Sequence, residues 1–188
     1  MKTDYLDLVQ FHSSPSRQQL EDEGALEALL ELKQQGKVRF IGVSGTIPNL
    51  KQQIDMGAFD EFQIPYSALE RNHEDLISEA ARSGAGVVIR GGVAKGAPER
   101  ETGDPWTRWQ EAELDDLLGE MTRMEFILRF TISHPDMATT IVCTVNPDHL
   151  KGNIDAVMKG RLPADLYEEA KRRLANAGAI PQVIPNQG

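Results

Sequence analysis

The chain has 188 residues, a length typical of one domain, and carries 20 lysines and arginines against 29 aspartates and glutamates, a formal net charge of −9. This acidic balance argues against nucleic acid or an anionic membrane surface as the main partner, because both require a clustered positive field. No segment approaches the roughly 18 consecutive apolar residues of a membrane-spanning helix. The only cysteine, Cys143, excludes an internal disulfide and favours a reducing, cytoplasmic compartment.

Short apolar runs alternate with segments of helical periodicity along the whole chain. The apolar runs predict five strands, at residues 5–11, 38–43, 62–64, 86–89 and 139–142. Helices are predicted at residues 26–33, 49–56, 73–83, 114–133, 147–157 and 162–175, with a long connection at residues 96–111. This alternation is typical of βα units around a parallel sheet, but it does not separate a barrel from an open doubly wound sheet. We treat residues 1–188 as one domain with an irregular tail at residues 178–188.

The carboxyl ends of the predicted strands hold the candidate functional residues, since ligands of parallel α/β proteins bind at these ends. The positions are His12, Ser44, Gln63 with Tyr66, the run from Arg90 to Gly96, and Cys143 with Thr144. Histidine is the side chain used most often for acid–base catalysis, although a structural role for His12 is also open. Tyr66 could either stack on a planar ligand or pack in the core. No metal site is predicted, because the segment from His73 lacks the second histidine of a zinc motif.

A glycine-rich segment follows the fourth predicted strand. It contains Arg90, Gly91, Gly92 and Lys95, two cations together with glycines that let backbone N–H groups approach an anion. Two interpretations remain open for this segment, a phosphate site and a solvated flexible loop.

Several segments resemble the aldo-keto reductases. Residues 3–12 are similar to the family's fourth-strand segment, and residues 36–44 are similar to the strand that follows it. Residues 63–66 resemble the sixth-strand motif, and residues 146–153 resemble the segment after the eighth strand. The similarity extends over residues 3–175 with the motifs in matching order. It implies an incomplete (β/α)8 TIM barrel in which about five parallel strands alternate with helices.

The resemblance also implies a function and a set of site residues. It implies an oxidoreductase that reduces aldehydes or ketones to alcohols with NADP(H), or with NAD(H), as the cofactor. His12 matches the active-site histidine that orients the substrate carbonyl. The implied cofactor contacts are Ser44 and Gln63 at the nicotinamide amide, Tyr66 on the nicotinamide ring, Arg90, Gly91, Gly92 and Lys95 at the pyrophosphate, and Thr144, His149 and Asn153 at the adenosine 2′-phosphate and adenine.

The sequence departs from the family pattern in ways that affect these expectations. Gly45 stands where asparagine is usual, and Cys143 and His149 stand at positions that are often basic, so the choice between NADPH and NADH is open. The family's first three βα units, with its proton-donating tyrosine, lie upstream of the segment that ends at His12. Loss of a positioned proton donor lowers a rate by roughly 10²–10⁴. We therefore expect impaired activity, with a catalytically silent nucleotide-binding or assembly module as the alternative.

Five strands do not close an eight-stranded barrel. The two outer strands would expose apolar surface and unpaired backbone groups, so we expect self-association through the open edges. Two other ways to cover the edges are the tail after Gly178 folding across the gap, and a separate chain that supplies the missing units.

Overall fold

The computed structural model describes residues 3–184 and contains one parallel five-stranded sheet. The strands are Leu6–Phe11 (β1), Val38–Ser44 (β2), Glu61–Pro65 (β3), Gly86–Arg90 (β4) and Thr139–Thr140 (β5). They hydrogen-bond in the order of the chain, β1-β2-β3-β4-β5. A doubly wound sheet reverses its strand order, whereas each strand of a (β/α)8 barrel lies beside its predecessor. The prediction of an incomplete barrel with five strands is therefore confirmed.

Nine α-helices lie among residues 3–184. They are Arg17–Asp22 (α1), Ala25–Gln34 (α2), Leu50–Asp55 (α3), Glu74–Arg82 (α4), Ala97–Arg100 (α5), Gly103–Glu111 (α6), Arg123–Ser133 (α7), Pro147–Met158 (α8) and Ala164–Asn176 (α9). Short 3₁₀ turns occupy Ala94–Gly96 and Leu114–Leu117. Five of the six predicted helices are found, with ends that differ by one or two residues. None of the helices in this part of the chain has the length and hydropathy needed to cross a membrane.

The sequence predictions are wrong in two regions and incomplete in a third. Residues 96–111 contain α5 and α6 and are not an irregular connection. The single helix predicted over residues 114–133 is broken at Gly119, where φ is 54°. A new helix, α7, begins after Thr122, whose hydroxyl accepts a hydrogen bond from the Glu125 N–H at 3.1 Å. The sequence analysis also overlooked α1.

The missed helix α1 begins with a capping box. The Gln19 N–H donates to Ser16 Oγ at 3.2 Å, and the Ser16 N–H donates to Gln19 Oε1 at 2.9 Å. These two bonds satisfy backbone donors that the first helical turn leaves free. The Ser-x-x-Gln pattern is therefore the local feature that could have predicted this helix.

Helices cover one face of the sheet, and the sheet's side chains alternate between the two faces. The covered face contributes six strand residues that are at most 1% exposed: Ile41, Val43, Phe62, Ile64, Val87 and Ile89. They form one apolar cluster with residues of α3, α4 and α7, including Leu50, Ile77 and Phe126. Full burial of such side chains stabilises the fold by about 1.5–3 kcal/mol each. This cluster is the core that holds the strand ends in place.

The opposite face of the sheet is partly uncovered. Leu6 and Leu8 of β1 are 36% and 40% exposed, Phe40 of β2 is 48% exposed, and Ile141 after β5 is 49% exposed. Leu8 and Phe40 are direct cross-strand partners. Side chains on this face fill the interior of a closed barrel, and in this arc they lie open near both outer strands.

The C-terminal segment packs on the loop before α4. The Arg71 Nη1 donates to the backbone carbonyls of Lys171 at 3.1 Å and Ala179 at 3.0 Å, and the Gln182 N–H donates to the Asn72 carbonyl at 3.0 Å. Residues 179–184 have no regular secondary structure. The alternative in which the tail crosses the gap between the outer strands is therefore wrong for the part up to residue 184; residues 185–188 lie outside the described residues.

Candidate functional site

The carboxyl ends of β2, β3 and β4 bring predicted site residues to adjoining positions. Ser44 and Gln63 are direct partners in the β2–β3 register, and the Gly45 N–H donates to the Gln63 carbonyl at 3.1 Å. The Tyr66 N–H donates to the Arg90 carbonyl at 3.1 Å. These residues lie together because parallel strands in sequential order end at the same edge of the sheet.

His12 lies in the loop after β1 with an exposed side chain, and its Nδ1 is 3.0 Å from Ser13 Oγ. Ser13 and Ser14 both adopt left-handed backbone conformations, with φ of 74° and 50°. The Ser14 hydroxyl donates to the Thr46 carbonyl at 3.0 Å and accepts from the Thr46 N–H at 2.9 Å. Ser14, which the sequence analysis did not single out, therefore anchors the loop that carries His12 to the loop after β2.

Gln63 belongs to a polar network on the uncovered face of the sheet. Its Nε2 donates to Gln10 Oε1 at 3.4 Å, and the Gln10 Nε2 donates to Glu61 Oε2 at 2.6 Å. Burial raises the pKa of Glu61, and its Oε1 has no hydrogen-bond partner among residues 3–184. The network orients the Gln63 amide. A single acidic residue at the start of a strand forms no motif, so sequence alone did not identify Glu61.

Tyr66 is fully buried in the core. Its ring centroid is 5.2 Å from that of His134 and 6.2 Å from that of Phe130, and its hydroxyl oxygen is 3.3 Å from the Tyr167 hydroxyl oxygen. Burial raises the pKa of Tyr66 well above its ordinary value. The ring presents no open face to a ligand in this structure, so packing, and not stacking on a nicotinamide ring, describes its position.

Arg90 interacts electrostatically with a buried histidine, His73, which lies between β3 and α4. The Ile47 N–H donates to His73 Nε2 at 3.2 Å, and burial together with the positive charge of Arg90 lowers the pKa of His73 to about 4. The Arg90 Nε is itself buried without a hydrogen-bond partner in the described part of the chain. His73 is therefore neutral near pH 7 and does not compete with Arg90 for an anion.

The two glycines after β4 form a tight turn against α7 and β5. The Ala94 N–H donates to the Gly91 carbonyl at 2.8 Å. A Cβ atom on Gly92 would lie 2.9 Å from Thr140 Oγ1 and 3.0 Å from Thr131 Cγ2. Glycine is required at position 92 because the loop approaches these two side chains closely.

A cavity of about 930 Å³ lies between the segment after β4, the start of α7, and α8 with its preceding loop. Sites for small molecules have volumes of about 300–1,000 Å³. Four of the predicted cofactor-binding residues line this cavity, namely Lys95, Thr144, His149 and Asn153. The other predicted site residues are not part of its lining; they are His12, Ser44, Gln63, Tyr66, Arg90, Gly91 and Gly92.

Two cations that the sequence analysis did not single out, Arg100 and Arg123, also line the cavity. Arg123 is held by Asp115 and Glu101, each at 2.8 Å, and these hydrogen bonds raise its pKa. The Arg100 Nη2 donates to the Lys95 carbonyl at 2.5 Å. Both arginines come from the region in which the helix predictions were wrong, so sequence periodicity could not place them at the cavity.

The α8 side of the cavity begins with a capped helix terminus. The Asp148 N–H donates to Asn146 Oδ1 at 2.9 Å, and the Asn146 N–H donates to Thr144 Oγ1 at 3.1 Å. These bonds fix the loop that carries Thr144. Within residues 3–184 there is no group of three or more histidine, cysteine or acidic side chains arranged to hold a metal ion.

Comparison with known proteins agrees with this geometry. Residues 1–173 match the model of the aldo/keto reductase family, and the chain belongs to that family. The uncharacterized oxidoreductase YqkF of Bacillus subtilis is 26% identical over 179 residues, which cover 86% of this chain and 58% of that protein. The holo form of the aldo-keto reductase AKR11C1 from Bacillus halodurans aligns with a TM-score of 0.80 and 26% identity, over 99% of this chain and 62% of that one. Its apo form aligns with a TM-score of 0.81, and 66% of that chain is covered. This chain thus spans about three fifths of the length of these relatives.

Proposed function

We propose that the chain binds a nicotinamide dinucleotide, NADP(H) or NAD(H), in the cytoplasm, and contributes to the reduction of aldehydes or ketones to alcohols. The observation that carries the proposal is the cavity of about 930 Å³ that unites Lys95, Thr144, His149 and Asn153 in a chain of the aldo/keto reductase family. The single exposed cysteine, Cys143, is compatible with a reducing compartment.

The charges and amides of the cavity suit a phosphorylated ligand. The ammonium group of Lys95 and the guanidinium group of Arg100 would attract the diphosphate. At the strand ends, the Gln63 amide is oriented by Gln10 and is available to a carboxamide beside Ser44. When bound, the nicotinamide group supplies or accepts a hydride.

We infer that His12 acts on the carbonyl substrate, because its side chain is exposed in the loop after β1. Its Nδ1 faces Ser13 Oγ at 3.0 Å, which leaves Nε2 for a hydrogen bond to a carbonyl oxygen. Such a bond would polarise the carbonyl and stabilise the negative charge that develops on its oxygen.

A catalytically silent nucleotide-binding module is the second candidate, and the positions of the tyrosines favour it. The chain has three tyrosines. The hydroxyls of Tyr66 and Tyr167 face each other in the core, and Tyr5 precedes β1, at the opposite end of the sheet from the strand carboxyl ends. None of the three presents a phenol to the strand ends as a proton donor. This candidate expects binding without turnover.

Nucleotide titration tests the binding half of the proposal. We expect NADH or NADPH to bind with a change in nicotinamide fluorescence, and Lys95→Ala to weaken binding by about tenfold because a charge-assisted phosphate contact is lost. Lys37→Ala is the matched control, because Lys37 is an exposed lysine before β2 that lies outside the cavity lining. Absence of binding of both nucleotides at millimolar concentration would falsify the proposal.

Turnover is measured as loss of NAD(P)H absorbance on addition of an aldehyde. His12→Ala is expected to lower the rate by roughly 10²-fold without changing nucleotide affinity. Gln18→Ala, at an exposed position of α1, is the control and should keep the wild-type rate. An unchanged rate in His12→Ala would exclude the proposed role of His12, and binding with no turnover in the wild type would select the silent module.

A further inference from the structure

Unpaired positive charge is confined to one wall of the cavity. We call residues 93–100 the β4 wall and residues 143–159 the α8 wall. The β4 wall contributes Lys95 and Arg100, and neither of them forms an ion pair with a carboxylate among residues 3–184. It also contributes one carboxylate, Glu99, so the two cations leave this wall with a net positive charge. Between the two walls, Arg123 is already neutralised by two carboxylates and lies 4.7 Å from the ring of Trp106.

The α8 wall has no unpaired lysine or arginine facing the cavity. Its one lining lysine, Lys159, is bound to Glu125 at 2.7 Å. Asp155 is paired with Lys151 at 2.7 Å, which uses the remaining cation of this helix. Asp148 also lines this wall and forms no ion pair in the described part of the chain. The α8 wall therefore carries an uncompensated negative charge.

The two nicotinamide dinucleotides differ in the charge that they bring to such a cavity. Both contain a diphosphate with two negative charges, and NADP(H) adds a monoester phosphate with about −1.5 to −2 charge near pH 7. The two unpaired cations of the β4 wall, Lys95 and Arg100, outnumber its one carboxylate, Glu99, and would attract the diphosphate. The additional phosphate would have no unpaired lysine or arginine left to bind and would meet Asp148 in a chain of net charge −9.

We propose that this cavity selects NAD(H) over NADP(H), with Asp148 and the lack of a free cation on the α8 wall as the specificity determinants. This inference rests on the proposed function, since it assumes that the cavity binds a nicotinamide dinucleotide. His149 is the one remaining lining side chain of the α8 wall that can carry a positive charge.

Parallel titrations of the intact chain with NADH and NADPH test the preference. We expect the Kd for NADH to be lower by about tenfold at low ionic strength, and the ratio to shrink in 0.5 M salt because screening weakens the repulsion. ADP-ribose and 2′-phospho-ADP-ribose, which lack the nicotinamide ring, are expected to bind in the same order. This second pair isolates the charge effect from any contact at the strand ends.

A charge-adding variant locates the effect at the α8 wall. Asn153→Arg is expected to raise the affinity for NADPH relative to the affinity for NADH by about fivefold or more. Met158→Arg adds the same charge to the same helix at a side chain that is 81% exposed and outside the cavity lining. It should leave the ratio unchanged. Circular dichroism melting curves confirm that both variants are folded.

The outcomes separate the inference from the proposed function. Equal or tighter binding of NADPH by the wild type overturns the preference and leaves the proposed function standing. An equal change of the ratio in Asn153→Arg and Met158→Arg overturns the assignment to the α8 wall. Binding of neither nucleotide overturns the proposed function and the inference together.

Discussion

His73 is a side chain whose protonation is strongly coupled to folding. It is 5% exposed, and burial together with Arg90 lowers its pKa to about 4, against about 6.5 for an unburied histidine. The unfolded chain therefore takes up a proton at a higher pH than the folded chain does. The stability that neutral His73 contributes is complete above pH 6.5 and is lost as the pH falls toward 4.

Protonation of His73 at acid pH is therefore expected to lower the free energy of unfolding by about 3 kcal/mol, since each unit of pKa shift corresponds to about 1.36 kcal/mol. Urea unfolding at pH 7.5 and pH 4.5 measures it. His73→Gln, which cannot be protonated, should reduce the difference between the two pH values by most of that amount. His149→Gln, at an exposed position, should retain the wild-type difference. An identical pH dependence in wild type and His73→Gln would show that His73 is not the linked group.

The positions of some site residues could be predicted from the local sequence, whereas the surroundings of others depend on contacts with distant residues. Ser44 and Arg90 could be placed because each directly follows a short apolar run, and Gln63 because it lies within one, next to its carboxyl end; both are local properties. Tyr66 could not, because its burial depends on Phe130 and Tyr167, more than sixty residues further along the chain. No periodicity in its own segment reports those contacts.

At the scale of elements, Gly42 of β2 leaves the space in which side chains of β1 and β3 meet. Gln10, Gly42 and Glu61 are neighbours across the three strands. A Cβ atom on Gly42 would lie 2.2 Å from Glu61 Oε2 and 3.2 Å from Gln10 Cγ. The hydrogen bond of 2.6 Å between Gln10 and Glu61 passes through the space that the glycine leaves.

Gly42→Ala is therefore expected to displace the Glu61 carboxylate and to lower the free energy of unfolding by about 1–3 kcal/mol. Gly152→Ala is the control, because a Cβ atom there would meet no atom within 4 Å, and alanine favours a helix over glycine. Chemical denaturation of both variants gives the comparison. Equal stability of the two would contradict the packing explanation.

The elements themselves were predicted unequally, for a physical reason. Strands β2 to β4 and helices α2, α3, α4 and α9 bury an apolar face, so their periodicity is visible in the sequence. Strand β1 and helix α8 show a similar periodicity, although their apolar side chains are largely exposed in this structure. Helices α5 and α6 hold few buried side chains, including Ala97 and Trp109, and their termini bear no side-chain cap. The interruption at Gly119 of the helix predicted over residues 114–133 depends on backbone conformation and not on the hydrophobic pattern.

At the scale of the whole molecule, apolar surface is exposed near both outer edges of the sheet, beside β1 and beside β5. Near β1 this surface includes Leu8 and Phe40, and along α8 it includes Leu150, Ile154 and Met158, which are 47%, 54% and 81% exposed. The three α8 residues share one face of the helix, since they are spaced four residues apart. Contiguous apolar surface of this kind is typical of association sites.

We therefore expect the isolated chain to sediment as a dimer or larger species at micromolar concentration. The double variant Leu8→Lys with Phe40→Glu should shift the distribution toward the monomer, because it places charges on the uncovered sheet face. Val183→Lys, at a residue that is 86% exposed after α9, should leave the distribution unchanged. A wild-type chain that sediments as a single monomeric species would exclude association through these edges.

The shortness of β5 gives the cavity two walls of unequal rigidity. Within residues 3–184, β5 consists of Thr139 and Thr140, and its contact with β4 ends at the hydrogen bond from the Ile141 N–H, shortly before the α8 wall begins. The β4 wall instead follows a five-residue strand inside the sheet. Short terminal pairings open at a small fraction of the global unfolding free energy. Amide hydrogen exchange should therefore be fast in α8 and slow in β2 and β3. A nucleotide that contacts both walls would slow amide exchange in α8 before it slows exchange elsewhere. Ligand binding would then link the fast-exchanging helix α8 to the slow-exchanging central strands.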